Sequence, residues 1–300
     1  MPQKISVVIN TLNEENVIER AVKSVAWADE VLVCDMNSDD DTALVAKKAG
    51  AKVIFIKKQP FVELARNLSI SKVEGDWVLI MDPDEEIPES LGSKLKEVAE
   101  SGGVATFVDV PRKNMIFGKW VKASMWWPDY KPRFFKKGSV SWSNKIHVPQ
   151  QTTGQGITLP PEERYAFIHY HYTSVDQFLT RLNRYTTIQA KELKESGYNF
   201  KWQDLISKPL SEFLGRYFAN RGFEDGLHGL ALCLLQAFSF LVVYIKVWEM
   251  EGFKEESIGV SELQQEAEEA GKELNYWFKY GNLSKNPLKR FLQRAKNKIS

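Results

Sequence analysis

Two carboxylates separated by one proline, Asp82 and Asp84, form the most distinctive short pattern in the chain. Pro83 restricts the backbone of the turn between them. Clustered anions repel one another unless they share a cation. Mg²⁺ and Mn²⁺ bind carboxylate oxygens and keep coordination positions for water and for the phosphates of a substrate. The pattern therefore predicts a site for a divalent metal and a phosphorylated substrate.

Two further polar segments follow apolar runs near the N-terminus. Asn10–Glu15 comes directly after Ile5–Ile9, and Asp35–Asp41 follows the next apolar run. Short polar side chains also cap helix N-termini, and capping alone accounts for Ser38 and Asp39. The segment after the first apolar run contains no glycine-rich phosphate loop, which weighs against a P-loop NTPase and a dinucleotide-binding fold.

Apolar runs alternate with helical patterns over the first hundred residues. We predict strands over Ile5–Ile9, Val31–Cys34, Lys52–Ile56 and Trp77–Met81, alternating with helices over Glu14–Ala26, Thr42–Ala49, Phe61–Lys72 and Pro88–Glu100. This order predicts an α/β fold with a mostly parallel central sheet and flanking helices. In such sheets ligands bind beyond the carboxyl ends of the strands. The three polar segments are therefore expected at one edge of the sheet.

Composition excludes several other classes of protein. The 300 residues are 43% hydrophobic and 26% charged, with a formal net charge of +1. These values argue against a disordered chain, a polytopic membrane protein and a general nucleic-acid coat. Cys34 and Cys233 lie in apolar runs, which predicts buried thiols in a reducing compartment. The first apolar run is too short for the core of a signal peptide, so we expect a cytoplasmic protein.

The order of short motifs resembles family 2 glycosyltransferases with a GT-A (Rossmann-like) fold, and among them the lipopolysaccharide-core glucosyltransferases. The resemblance extends from about Ile5 to about Glu249. It rests on these blocks: Thr11-Leu12-Asn13-Glu14-Glu15, Trp27-Ala28-Asp29-Glu30-Val31, Ala65-Arg66-Asn67, Gly75-Asp76-Trp77-Val78-Leu79, Asp82-Pro83-Asp84-Glu85, Pro111-Arg112-Lys113-Asn114, Trp127-Pro128-Asp129-Tyr130, Arg133-Phe134-Phe135 and Leu182-Asn183-Arg184-Tyr185-Thr186. A single DxD is common by chance, whereas this many blocks in order indicates the family.

The resemblance implies a role for each matched residue. The residues implied to bind the nucleotide are Thr11, Asn13, Glu14, Asp35, Arg66, Asp82 and Arg133. Within this set Asp35 would read the base and Arg133 would clamp the diphosphate, with a surface strand cation as the alternative for Arg133. The implied metal ligands for Mn²⁺ or Mg²⁺ are Asp84, Asp82 and His147, with a structural histidine as the alternative for His147.

The same resemblance implies an inverting transfer in which Asp129 is the general base. Asp129 follows Pro128 and precedes Arg133 by four residues, and a turn residue is the alternative. The chain also departs from the family. Met36-Asn37-Ser38 replaces the usual Ser-Gly-Ser, and Val148 stands after His147 where the family has glutamate. For His169 and His171, which face one side of a predicted strand, we predict a structural or hydrogen-bonding role because zinc requires more ligands.

The second half of the chain is predicted to be helical. We expect three domains: a nucleotide-sugar-binding domain at 1–172, a helical region at 173–251, and a polar linker with a basic helix at 252–300. Leu227–Ile245 contains no charged residue and has three interpretations: a membrane span, a buried helix or a helix in the cytosolic leaflet. The basic tail argues against a span, because it would lie outside. Lys285–Ser300 is a basic amphipathic segment suited to an anionic membrane surface.

The sequence therefore predicts a metal-dependent glycosyltransferase. It would transfer a hexose from a nucleotide-diphosphate sugar, by preference a UDP-sugar, to a lipid-linked or lipopolysaccharide-type glycan at the inner face of the plasma membrane. The alternatives are a catalytically inactive membrane-associated scaffold and a nucleotidyltransferase. No nucleic acid partner is expected. The donor sugar, the acceptor and the oligomeric state, a homo-oligomer included, stay open.

Overall fold

The computed structural model describes residues 3–59, 62–143 and 150–281. The chain forms two compact units. The first comprises Met1–Met115 and Trp127–His171, and the second comprises Ile116–Trp126 and Tyr172–Ser300. The expected division at residues 172 and 251 stays a prediction.

The strands are β1 (Ile5–Thr11), β2 (Glu30–Asp35), β3 (Lys52–Phe55), β4 (Trp77–Met81), β5 (Glu85–Glu86), β6 (Ala105–Val110), β7 (Arg112–Ile116), β8 (Lys119–Trp120), β9 (Lys131–Lys136), β10 (Val140–Ser141), β11 (Gln151–Thr152), β12 (Gln155–Thr158) and β13 (Phe167–Tyr172). The helices are α1 (Ile18–Ser24), α2 (Thr42–Lys48), α3 (Val62–Ser71), α4 (Glu89–Glu100), α5 (Val175–Glu195), α6 (Asp204–Leu214), α7 (Gly226–Met250) and α8 (Val260–Tyr280).

The central sheet of the first unit has the strand order β12-β6-β9-β4-β1-β2-β3. Of these strands β9 alone runs antiparallel to its neighbours, so the sheet is mostly parallel as predicted. The four predicted strands are observed, and β1 continues two residues further, to Thr11. The carboxyl ends of β1, β2 and β4 therefore meet at one edge, because these strands are parallel neighbours.

The two faces of the sheet each carry a hydrophobic core. Val7 and Ile9 of β1 pack into one cluster with α1 and α4, whereas Val8 packs into another with Leu32 and Ala65. All residues of β1 and β4 are buried, which explains why β4 is apolar throughout and why the polar residues of β1 are limited to Ser6, Asn10 and Thr11. Cys34 belongs to the second cluster, and burial raises the pKa of its thiol to about 11.

A smaller sheet in this unit supports the acidic turn after β4. It includes β5, β13 and β7, which are paired in that order. Glu85 of β5 pairs with His169 of β13, and the Tyr170 N–H donates to the Asp84 carbonyl at 2.9 Å. The turn that contains Asp82 and Asp84 is therefore fixed between β4 of the central sheet and β13 of the smaller sheet.

The second unit is built mainly from helices. The Ser174 hydroxyl caps α5 by accepting the Gln177 N–H. α6 ends at Leu214, and Gly215–Ala219 continues as a π-helical turn. The Lys246 ammonium of α7 donates to Asn183, Thr186 and Thr187 of α5 at 2.7–2.9 Å.

The uncharged segment lies in α7, which packs against α5 and α6 through part of its surface. Of the exposed apolar side chains on α7, four form an exposed apolar row with spacings of seven, four and seven residues: Leu227, Leu234, Phe238 and Ile245. By length and composition alone, Gly222–Met250 meets the requirement for a membrane span, with a mean hydropathy of 2.1 over 18 residues. Core helices of soluble proteins meet the same requirement. The basic segment Lys285–Ser300 lies outside the described residues.

Candidate active site

Asn13 joins the loops that follow β1 and β2. Its N–H donates to the Ser38 hydroxyl at 2.9 Å, and its side-chain oxygen accepts the Asp39 N–H at 2.8 Å. Glu14 adds a third link, because its N–H donates to the Thr42 hydroxyl at 2.8 Å. The helix-capping role expected for Ser38 and Asp39 is wrong, since Asp41 holds the N-cap position of α2 and the Ser38 hydroxyl accepts the Asn13 N–H instead. Both residues instead hold the loops after β1 and β2 together through their contacts with Asn13.

Asp35 ends β2 beside Thr11, its register partner on β1. The carboxylate is completely buried, and its Oδ1 accepts the Ser38 N–H at 2.6 Å. Its Oδ2 has no hydrogen-bond partner among the described residues, nor does the Thr11 hydroxyl. A buried polar atom without a partner costs about 1–3 kcal/mol. This pair of strand ends therefore retains unused hydrogen-bonding capacity at the sheet edge.

Asp82 lies between two arginines. Arg66 Nη2 donates to its Oδ1 and Arg133 Nη2 to its Oδ2, both at 2.7 Å. Burial raises the pKa of Asp82, but Arg133 and Arg66 outweigh it and hold the pKa well below the usual value. The alternative of a surface cation is wrong for Arg133, which is only 4% exposed. Arg66 Nε and Arg133 Nε and Nη1 have no partner among the described residues.

Asp84 lies beside an imidazole. Its Oδ1 is 3.6 Å from Nε2 of His169, whose Nδ1 is 2.6 Å from the Asn114 side-chain oxygen. His171 Nδ1 is 3.2 Å from the same Nε2. The expectation that these two histidines form hydrogen bonds along one strand face agrees with this geometry.

The chemistry of the DxD pair distinguishes its two carboxylates. Asp84 offers carboxylate oxygens of the kind that a hard divalent cation binds, so it fits a metal site that is completed by water and phosphate. Asp82 is held by two guanidinium groups and fits contact with the ribose, or with the metal through water, better than direct ligation. The described residues contain no cage of three or more acidic, histidine or cysteine side chains. His147, the third predicted ligand, lies outside the described residues.

Glu85 was not predicted as a site residue, although it completes the acidic turn. Its side chain is completely buried. Oε2 accepts the Asp82 N–H at 2.8 Å, and Oε1 lies 3.4 Å from Arg112 Nη1 and from Arg133 Nη2. Glu85 therefore connects the turn to two arginines. A glutamate directly after a DxD is not distinctive in sequence, and only its burial indicates a role in the site.

Asp129 lies against Arg112 and Lys131. Arg112 donates to Asp129 Oδ2 through Nη2 and through Nε, the latter at 2.9 Å, and Lys131 Nζ is 3.2 Å from Oδ1. Burial raises the pKa of Asp129, but Arg112 and Lys131 reverse this effect and lower the pKa below its ordinary value. Arg133, four residues further along the chain, instead pairs with Asp82 and Glu85.

Comparison with known proteins identifies the family. A sequence model described as Glycosyl transferase family 2 matches residues 6–154. An uncharacterised glycosyltransferase of Rickettsia typhi is 31% identical over 266 residues, covering 83% of this chain and 88% of the relative. The chain belongs to glycosyltransferase family 2. It is therefore an enzyme of the glycosyltransferase class with a GT-A fold, which confirms the predicted family and disfavours the nucleotidyltransferase alternative.

Two further relatives describe the range of the likeness. The lipopolysaccharide core biosynthesis glycosyltransferase LpsC of Rhizobium meliloti is 24% identical over 260 residues, covering 83% of this chain and 94% of LpsC. A crystal structure of glucosyl-3-phosphoglycerate synthase from Mycobacterium tuberculosis is 28% identical, covering 37% of this chain and 43% of that protein, with a TM-score of 0.32. The structural likeness is too low to bear on substrate or metal.

Proposed function

We propose that this glycosyltransferase transfers a hexose from a UDP-sugar, with inversion and with Mn²⁺ or Mg²⁺, to a lipid-linked or lipopolysaccharide-type glycan. The supporting observation is the set of buried polar atoms without partners at the carboxyl edge of the sheet. Asp35 Oδ2 is an acceptor, and the spare nitrogens of Arg66 and Arg133 are donors. A uracil N–H and a diphosphate are the complementary groups.

The base, the nucleoside and the diphosphate of the donor then each have a partner in the chain. Asp35 accepts a hydrogen bond from the base, and the loops joined through Asn13 and Glu14 enclose the nucleoside together with Thr11. Arg66 and Arg133 bind the diphosphate, and Asp82 fixes both guanidinium groups. Asp84, with Asp82 and His147 as the further predicted ligands, would hold the divalent cation. When bound, that cation neutralises charge on the departing diphosphate.

Asp129 is the proposed general base for the acceptor hydroxyl. Because Arg112 and Lys131 lower its pKa, Asp129 is ionised at neutral pH and able to take a proton. In an inverting reaction the hydroxyl oxygen forms the new bond to the anomeric carbon as the bond to the diphosphate breaks. The proton passes to the Asp129 carboxylate in the same displacement.

The donor proposal is tested by calorimetry with a panel of nucleotide sugars, with and without Mn²⁺ or Mg²⁺, followed by release of nucleoside diphosphate. We expect metal-enhanced binding of a UDP-sugar and slow release of UDP. Asp129→Asn should reduce transfer at least about 100-fold and leave donor binding nearly unchanged. Binding without any release of UDP, in the presence of acceptor, would support an inactive scaffold instead.

We further propose that the enzyme acts as a peripheral protein on the inner face of the plasma membrane. The similarity to LpsC supports a lipopolysaccharide-type acceptor, and the exposed apolar row of α7 supports contact with lipid. Flotation with anionic phosphatidylglycerol vesicles tests this location. Binding should weaken in Phe238→Asp, whereas Glu249→Gln on the same helix serves as the control. If both variants float with the vesicles as well as wild type does, the exposed apolar row does not insert into the membrane.

A further inference from the structure

Arg112 contacts both the acidic turn and the candidate base. It is the first residue of β7, and its side chain is 14% exposed. Nε and Nη2 both donate to Asp129 Oδ2, while Nη1 lies 3.4 Å from Glu85 Oε1. Glu85 in turn accepts the Asp82 N–H. One planar guanidinium thus spans the distance between the DxD turn and the base.

Asp129 depends on side-chain contacts for its position. It lies between β8 and β9 and outside both strands, so no strand ladder fixes its backbone. Lys131 contacts the other carboxylate oxygen, Oδ1, but its side chain is 39% exposed. A flexible, hydrated ammonium restrains a carboxylate less than a planar guanidinium does. Arg112 is therefore the main restraint on the orientation of the carboxylate.

We propose that Arg112 is a positioning residue that holds the Asp129 carboxylate at a fixed distance and orientation relative to the DxD turn. The proposal rests on the proposed role of Asp129 as general base. If the proposal holds, the Arg112 guanidinium aligns the base with the groups that bind the donor. A base displaced by about 1 Å from the acceptor hydroxyl loses catalytic power, because proton transfer requires hydrogen-bond distance.

The electrostatic consequence has a defined direction. Arg112 and Lys131 face Asp129 directly, Glu85 faces Arg112 from the other side, and Arg133 contributes from further away. Removing the Arg112 charge leaves the effect of burial opposed by fewer cations. The pKa of Asp129 should therefore rise in Arg112→Gln.

The test compares Arg112→Gln and Arg112→Lys with Arg164→Gln, a control that removes the same charge from an exposed ion pair with Glu162. We expect Arg112→Gln to lower kcat by between about 10- and 100-fold and to leave the donor KM within about twofold of wild type. Arg112→Lys should recover part of the loss. Carbon-detected NMR titration of Asp129, without substrate, should show a raised pKa in Arg112→Gln and no change in the control.

Several outcomes would overturn the proposal. A kcat for Arg112→Gln equal to that of Arg164→Gln, or an unchanged pKa of Asp129, would exclude the positioning role. Equal losses in Arg112→Lys and Arg112→Gln, with a lowered Tm and no change in the pKa, would indicate a purely structural role. If Asp129→Asn keeps wild-type turnover, the base assignment itself fails. If Asp129→Asn is inactive while Arg112→Gln is fully active, only the role of Arg112 fails.

Discussion

Asp35→Asn should weaken the binding of UDP without lowering the stability of the folded protein. In the structure Asp35 Oδ1 accepts the Ser38 N–H, whereas Oδ2 is buried without a partner among the described residues. An asparagine can keep the first hydrogen bond through its own oxygen. At the second position it places an N–H₂ group, which is a donor where the proposed ligand also presents a donor.

The expected magnitudes follow from these two oxygens. A hydrogen bond to a charged group is worth about 1.5–3 kcal/mol, so the affinity for UDP should fall by about 10- to 150-fold. The free energy of unfolding should not fall, because the neutral amide is easier to bury than a carboxylate. Asp82→Asn should behave differently. Both Asp82 oxygens are paired with arginines, and breaking such a buried pair costs about 3–5 kcal/mol.

Calorimetry with UDP and thermal unfolding without ligand measure the two effects. Asp76→Asn is the matched control, since Asp76 also accepts a backbone N–H, that of Lys4, but is exposed at the start of β4. The control should keep wild-type affinity. The reasoning is refuted if Asp35→Asn binds UDP as tightly as the control. It is also refuted if Asp35→Asn lowers Tm by more than about 5 °C, which at about 2–4 °C per kcal/mol would mean that Asp35 is chiefly structural.

Three further predictions concern the metal, acid stability and α7. Asp84→Ala should remove the enhancement of UDP binding by Mn²⁺ and abolish turnover, while Tm stays near that of wild type. Calorimetry with and without Mn²⁺ checks this prediction. Retained enhancement would contradict the metal assignment. The depressed pKa of Asp82 contributes stability that is present above the unfolded pKa of about 3.9 and is lost as pH falls through the folded pKa. The Tm difference between wild type and Asp82→Asn, followed from pH 7 to pH 3, should therefore shrink below about pH 4, and a constant difference would exclude the ion pairs as its source. Lys246→Met should lower the free energy of unfolding by about 1–3 kcal/mol, because the acceptors of Lys246 on α5 lose their donor. Urea unfolding measures this loss against Lys191→Met, which removes a lysine from the surface of α5. Equal stability of the two variants would show that the Lys246 contacts do not matter.

The sequence predicts the parallel part of the fold well because its strands are buried on both faces. Trp77–Met81 is observed with the predicted bounds, and it is apolar throughout because it lies inside the sheet. The strands of the second half of the first unit are less evident. β9 runs antiparallel between β4 and β6 and contains Lys131, Arg133 and Lys136, so its pattern does not distinguish it from a loop.

The sequence directs attention to acidic residues at strand ends, but it does not reveal the side-chain contacts between them. Asp35, Asp82 and Asp84 lie at strand ends, where the rule for α/β sheets directs attention. Arg112 contacts Asp129 and Glu85 only through long-range folding, because it is 17 residues from the first and 27 from the second. No local spacing encodes such a contact.

The arginines also change the physical argument for a metal. From sequence, clustered carboxylates require a cation to relieve repulsion, and a divalent ion is the natural choice. In the structure Arg66, Arg112 and Arg133 already neutralise Asp82 and Glu85, so repulsion within the acidic turn no longer requires a metal. The case for the metal then depends on Asp84 and on the charge of the donor diphosphate. The protein should therefore fold without metal. A divalent ion should be required only for binding of the donor diphosphate and for its departure during transfer.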